Sequence, residues 1–307
     1  MGIVKPAEAE DTEKLVRSSS SIGTILNLLL QDRRTLAGVL SWVGIGVLVS
    51  FVVIAIFAYP LAPYDPQRIF LTPPNQPPSL QHLMGTDDLG RDLFSRMLYG
   101  ARTSLEIMTI GVFLALAIGF PIGLVSGYLG GKLDRVLVLV MDSVYAFPGL
   151  LLAAMVALFL GKGVFNVGIA ITVIYVPTYF RVTRNQTLSV REETYVDAAR
   201  ALGAGNWTVI WSYIAYNVLI SIPVVFSLSA ADAILTAAGL SFLGLGLERP
   251  TPDWGLDLSD AQKFLTSGVW WSSFFPGVMI IILTVGLSFL GEGLNDIVNP
   301  LLRKERA

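Results

Sequence analysis

No cysteine occurs in the 307 residues, and histidine occurs once, at His82. The first absence excludes disulfide scaffolds, thiolate metal centres and cysteine nucleophiles. The second excludes haem or zinc sites built from several imidazoles. No metal or cofactor is expected in this chain. Charge is also scarce, at 14% of residues, where an ordinary soluble chain carries about 25%; too little remains to clothe a water-facing surface. The few charges nearly balance, 21 Lys+Arg against 23 Asp+Glu, so no cationic field attracts nucleic acid. What is abundant is apolar: 53% of the chain, with a mean hydropathy of +0.65.

That material falls into runs long enough to cross a hydrocarbon core of about 30 Å. Leu36–Tyr59 and Ile107–Gly131 hold no charged residue, Val136–Leu160 holds only Asp142, and Val164–Phe180 ends at Arg181 and Arg184. Tyr213–Leu247 holds only Asp232, and Val269–Leu290 runs clean to Glu292. The expectation is an all-α polytopic membrane protein with six spans. Its parts are a tail 1–35, a first span 36–59, an external loop 60–104, a core 105–300 and a tail 301–307. A cleavable leader is not expected, because the first apolar run follows a polar tail and is too long for a leader's apolar segment. In the tail, Ile22, Ile25, Leu26 and Leu29 share a helical face before Arg33 and Arg34, which fits an interfacial helix or an extension of the first span.

With six spans both termini lie on one side. That side and its loops carry 14 Lys and Arg and the other side 7, so the termini are expected in the cytoplasm of a bacterial or archaeal cell membrane. Pro60 to Pro78 make the first external loop stiff and extended. Trp254, Trp270 and Trp271 in the external loop 248–273 suit anchors at lipid headgroups. Gly119, Gly123 and Gly127 clear one helix face for close packing, and Pro121, Pro148, Pro177, Pro223 and Pro276 are expected to bend spans. Both features suit a transporter or channel, although packing in any polytopic protein could use them.

The inner loop 191–212 is not a span. A helix over Glu192–Leu202 would place Tyr195, Ala198, Ala199 and Leu202 on one face, with Glu193, Asp197 and Arg200 elsewhere. Gly203 and Gly205 would end it in left-handed conformations, and a second amphipathic stretch, Trp207–Ile214, would lead into the fifth span. Such a helix fits a groove on a partner protein, or merely joins two spans along the membrane surface.

The stretch Tyr195–Gly203, YVDAARALG, resembles the Glu-Ala-Ala loop of ABC-importer permeases, with Asp197 in the Glu position, Ala198, Ala199, and Gly203 at the family spacing. The later Leu-Pro-Asn of that family reads Ala215-Tyr216-Asn217. Three longer segments are similar to the C-type permease of oligopeptide and dipeptide importers: His82–Leu105, Ile234–Gly255 (with GLSFLGLGLERPTPDWG) and Trp270–Leu302 (with FFPG and FLGEGLNDIVNPLLR). The resemblance implies a type I-like permease fold. It also implies a second homologous permease subunit, two cytoplasmic ATPases, an external solute-binding protein and surrounding membrane lipid. It assigns Tyr195, Asp197, Ala198, Ala199, Leu202 and Gly203 to the surface that couples to an ATPase. Cargo is expected to be oligopeptide or dipeptide, with nickel, glutathione and oligosaccharide as the cargoes of similar permeases.

The chain lacks its own ATPase chemistry. Gly131-Lys132 and Gly161-Lys162 are followed by Leu133 and Gly163, not by the hydroxyl residue of a phosphate loop. Asp232, an acid at bilayer depth, must face a helix interface or a wet cavity. It could meet a peptide's ammonium on the translocation path, or hold a neighbouring helix. Asp142 reads as an acid near the inner interface, and Arg102 and Glu106 as a helix pair. An ion-coupled transporter using Asp142 and Asp232 is the competing function, but no inverted repeat of the kind such folds show is evident. An intramembrane enzyme would need a nucleophile with a base, or a metal cluster, and the sparse acids and lone His82 supply neither.

Overall fold

The computed structural model describes residues 36–70 and 72–298; the proposed interfacial helix and the C-terminal tail lie outside them. The described chain is helical, with α1 Leu36–Ile56, α2 Leu93–Leu129, α3 Gly131–Tyr145, α4 Gly149–Leu160 and α5 Val164–Val190 in its first part. There follow α6 Thr194–Ala201, α7 Ala215–Leu219, α8 Ile222–Phe242, α9 Trp254–Ala261 and α10 Trp271–Val298. Among the described residues five helices are long and apolar enough to cross a membrane, or six if α3 and α4, bent by 90° at their break, make one crossing. Several boundaries differ from the sequence reading, each for a physical reason.

α2 starts at Leu93, not Ile107. Asp92 caps it, its carboxylate accepting from the Ser95 N–H at 2.8 Å and the Ser95 hydroxyl at 2.7 Å. The charges that end the apolar run do not end the helix: Arg102 and Glu106 pair along it at 2.9 Å, and farther back Arg96 is buried against Asp257. At 37 residues the helix is about 55 Å long, so its first turns stand clear of the bilayer. α5 likewise continues through Arg181 and Arg184 to Val190. Both guanidiniums reach back to α3: Arg184 pairs with Asp134 through Nε at 2.5 Å and Nη2 at 2.7 Å, and Arg181 pairs with Asp142 at 2.6 Å. Pro148 lies in the break between α3 and α4, where the chain bends by 90° as its position suggested. Pro223 instead lies in the first turn of α8, where a missing N–H leaves no bond unmade.

The core is the α2–α5 pair. A Cβ on Gly119 would lie 2.7 Å from Tyr179 Cβ and from the Val176 carbonyl oxygen, and one on Gly123 would lie 2.7 Å from the Phe180 carbonyl oxygen and 2.8 Å from Thr183 Cβ. The backbones thus approach until no side chain fits between them, the small-residue mode of packing in lipid. α1 lies on α10 by the same means: a Cβ on Gly44 would meet the α10 backbone at Leu290 N, 2.5 Å away.

At the end that the charge count assigns to the outside, loop 62–92 and the turns around α9 fold into a cap held by buried ions. His82 Nδ1 lies 2.8 Å from Asp92 Oδ1, and Asp87 Oδ2 takes Arg91 Nε at 2.5 Å. Arg96 reaches across to Asp257 Oδ1 with Nε at 2.9 Å and Nη2 at 2.5 Å, and gives Nη1 to the Pro66 carbonyl at 2.9 Å. Arg249 pairs with Asp260. Trp254 and Trp271 are not lipid anchors, as the sequence suggested. Both are buried and donate their indole N–H groups to the Met97 and Thr86 carbonyls, each at 3.2 Å. Trp270 is 53% exposed. Asp253 caps α9, accepting from the Leu256 N–H at 2.8 Å. Its burial, and after that the nearby Asp257 carboxylate, outweigh this bond and push its pKa up to about 6.

Two outcomes follow from this packing. Gly123→Leu should separate α2 from α5 and lower the melting temperature of the purified protein in detergent, overpacking of this kind costing about 1–3 kcal/mol or more; an unchanged melting temperature would contradict the close approach. Asp253 binds its proton more tightly folded than unfolded, where its pKa is the ordinary 3.8. Its contribution to stability is therefore full below 3.8 and is lost as pH rises through about 6. Asp253→Asn, which keeps the capping acceptor, should shrink the fall in melting temperature between about pH 5 and pH 7, and thermal melts at both pH values measure it.

Candidate functional site

Two regions gather the residues singled out from the sequence, one at the opposite end from the cap and one inside the span bundle. The first is α6 and its seat. Glu193 precedes α6 in an extended conformation, and the helix closes on Leu202, Gly203 and Ala204. The Ala204 N–H bonds the Ala199 carbonyl at 3.0 Å and the Gly203 N–H bonds the Arg200 carbonyl at 2.9 Å, with Gly203 at φ +87°. This is a Schellman ending, and it requires a residue that accepts positive φ at position 203. Gly205 is not left-handed as the sequence reading held: its φ is −68° and ψ 157°, ordinary extended backbone.

The faces of α6 also need correction. Ala199 does not share the outward face; at 4% exposure it packs inward beside Val196, which is fully buried and was missed. Val196 belongs to one buried cluster with Phe120, Leu124, Tyr128, Ile210 and Ile214. Trp207–Ile214 is a short turn followed by a π-helical turn, Val209–Ile214, which carries Val209, Ile210 and Ile214 to the inner side together. Polar contacts complete the seat. The Tyr128 hydroxyl bonds Asn206 Oδ1 at 3.1 Å, Arg191 Nη1 bonds the Gly127 carbonyl at 3.0 Å, and Arg200 lies 5.2 Å over the Tyr128 ring. The outward strip consists of Tyr195, Ala198 and Leu202, spaced three and four residues apart on one helical face. Leu202 is 90% exposed. Asp197 is exposed as well, its carboxylate accepting from Arg200 Nη1 at 3.0 Å. Burial, and next the Glu193 carboxylate, raise the Tyr195 phenol pKa, so it presents a neutral hydroxyl.

The second region lies at the break between α3 and α4. A cavity of about 380 Å³ opens there, walled by Tyr145, Phe147 and Leu150 on one side, by Ile174, Tyr175 and Thr178 of α5, and by Asp232 and Thr236 of α8. Asp232 is the eleventh of the 21 residues of α8, hence near mid-bilayer. Its carboxylate accepts a hydrogen bond from the Tyr175 hydroxyl at 2.5 Å and is otherwise open to the cavity. An acid at that depth in contact with lipid would cost roughly 2.5–3.5 kcal/mol on insertion scales, so this face meets water or another protein. Asp142 is tied to Arg181, whose guanidinium also stacks 3.9 Å over the Tyr145 ring; the two are 39 residues apart, so the pair was not legible from spacing. Arg102 and Glu106 form the expected pair at 2.9 Å. His82 is buried in the cap, on Asp92. Among the described residues no three His, Cys, Asp or Glu side chains converge as metal ligands.

Comparison with known proteins agrees with this geometry. Residues 119–304 match the family described as the binding-protein-dependent transport system inner membrane component, and residues 33–78 match the N-terminal TM domain of oligopeptide transport permease C. The chain is 39% identical over 264 residues to the dipeptide transport system permease protein DppC of Alkalihalophilus pseudofirmus, covering 86% of each chain. It is 38% identical over 253 residues to the glutathione transport system permease protein GsiD of Pectobacterium atrosepticum, covering 82% of this chain and 84% of that one. To a probable D,D-dipeptide transport system permease protein, DdpC of Escherichia coli, it is 39% identical over 254 residues, or 83% and 85% of the two chains. With a matching family description over most of its spans and such relatives along nearly its whole length, the chain belongs to the inner-membrane permease family of binding-protein-dependent transport systems.

Proposed function

We propose that this permease forms half of the transmembrane path of an ATP-driven importer for short peptides. A second, homologous permease completes the path, two cytoplasmic ATPases drive it, and an external binding protein delivers the cargo. The observation that carries the reading is the outward strip of α6. Tyr195, Ala198 and Leu202 stand exposed at an end of the molecule beyond the spans, on a helix seated firmly enough to transmit a push. An exposed apolar strip on a rigid short helix fits a groove in a partner. Asp197 stands beside the strip, while Ala199 and Gly203 set the seat and the ending of the helix. The positive-inside count supports placing α6 and both termini in the cytoplasm.

Closure of the ATPase pair around nucleotide would displace α6, and the seat on Tyr128 and Ile210 passes that displacement to α2 and to the turn leading into α8. Asp232, at mid-span and open to the cavity, belongs on the cargo path in this scheme. The ATP chemistry resides on the partner, since this chain has no phosphate loop. Relatives named for dipeptides and for glutathione support peptide cargo.

Leu202→Asp changes a side chain that touches little of its own protein. It should leave membrane insertion and melting temperature unchanged while weakening co-purification of the ATPases by about tenfold, the effect of about 1.4 kcal/mol. Gly203→Val meets no neighbour, since nothing lies within 4 Å of a Cβ there, but forces a branched residue to φ +87°. It should insert normally, attach ATPase poorly and lose transport. Full ATP-dependent uptake by both variants in proteoliposomes would overturn the assignment.

A further inference from the structure

One charged side chain, Asp232, lines the cavity at the break, and a second of opposite sign, Arg181, stands against a wall residue. Asp232 presents a carboxylate whose one hydrogen bond among the described residues is to the Tyr175 hydroxyl, at 2.5 Å. Ile174, Thr178 and Arg181 form a single stripe along α5, at i, i+4 and i+7, and the first two line the cavity. Arg181, next on the stripe, lies 3.9 Å over the ring of Tyr145, which is itself part of the wall. Its Nε and Nη2 go to Asp142, and among the described residues its Nη1 has no partner; the side chain is 38% exposed.

We infer that this cavity is a two-pole subsite for a zwitterionic short peptide, with the free ammonium on Asp232 and the free carboxylate on Arg181. The inference rests on the peptide-import reading and specifies its cargo chemistry. Tyr175 and Arg181 are six residues apart, a rise of about 9 Å, and the Arg181 side chain leans back toward the start of α5, shortening the gap. Two extended residues span about 7 Å, which matches. A guanidinium bonded to Asp142 through Nε and Nη2 can offer its remaining Nη1 to a second carboxylate, and a bound ammonium would offset the charge of Asp232. Tyr175 is a positioning residue: its hydroxyl holds the Asp232 carboxylate toward the cavity. A cavity of about 380 Å³ lies within the range of small-ligand sites, about 300–1,000 Å³.

The test uses the complete transporter in nanodiscs without binding protein, with saturation-transfer NMR on dialanine, N-acetyl-dialanine and dialanine amide. Dialanine should show contact with the protein, and each blocked peptide should lose about tenfold or more of that signal, as expected when one charge-assisted hydrogen-bonded pole is removed. Asp232→Asn should lose the dialanine signal by a similar factor and Asp232→Glu retain it. Tyr175→Phe should weaken it by about threefold to tenfold. ATPase stimulation by loaded binding protein reports whether each variant is still assembled, and the blocked-peptide comparison on the unaltered protein needs no variant. Equal signals from free and blocked peptides, or no dialanine contact in a complex that imports dialanine, overturn the subsite and leave the import reading standing. A complex that imports no peptide with ATP and binding protein present overturns both.

Discussion

Gly119, Gly123 and Gly127 allow α2 and α5 to touch backbone to backbone, and both functional regions are built on that contact. In lipid there is no hydrophobic gain from bringing two helices together, so their association relies on close packing and on satisfied polar groups. The glycine side supplies the packing. The inner ends of the same helices supply the polar groups, through Arg191 on the Gly127 carbonyl and Arg184 on Asp134, with Asp134 also accepting from Ser126. The pair then carries α6 at one end, through Phe120, Leu124 and Tyr128, and forms one wall of the cavity at mid-depth, through Ile174, Tyr175 and Thr178. The seat of α6 and the cavity wall thus belong to one packed helix pair.

The cap and the cavity handle charge in opposite ways. In the cap, Arg91, Arg96 and Asp92 are almost wholly buried, and each has a partner, Asp87, Asp257 and His82 in turn. Breaking one partner of such a pair is strongly destabilising, so the pairs hold residues 72–92 and α9 as one block. In the cavity, Asp232 has one hydrogen bond among the described residues and remains open. Paired ions make a scaffold; an ion open to a cavity is available to a partner. The broken span serves the same end, since the 90° bend between α3 and α4 leaves backbone and side chains facing a cavity, where irregular backbone is tolerated at membrane depth.

Burial explains where reading from the sequence stopped short. Runs of apolar residues disclosed the five long helices and the bent pair α3–α4, because the bilayer sets a length that chance seldom meets. They misplaced the start of α2 and the end of α5, because Arg96, Arg181 and Arg184 look like boundaries until Asp257, Asp142 and Asp134 are seen beside them. For α6, the apolar pattern placed Ala199 outward with Ala198. At 100° per residue a short helix has two adjacent apolar strips, and only contact with Ile210 and Tyr128 tells which one is the seat. The Tyr175–Asp232 pair, 57 residues apart in sequence, left no signal in spacing at all.

The amino-acid sequence by itself determined the environment and the local rules: scarce charge dictates a membrane, apolar run length dictates the crossings, and Gly203 dictates where α6 can turn. Its longer motifs also disclosed the family. Tertiary structure alone decided which charges are neutralised, which face of α6 looks outward, and that an acid in one helix and a phenol in another open on a shared cavity. The reason is physical. Run length and glycine act within a few residues of chain, whereas ion pairing and burial depend on which distant segments the close approach of α2 and α5 brings together.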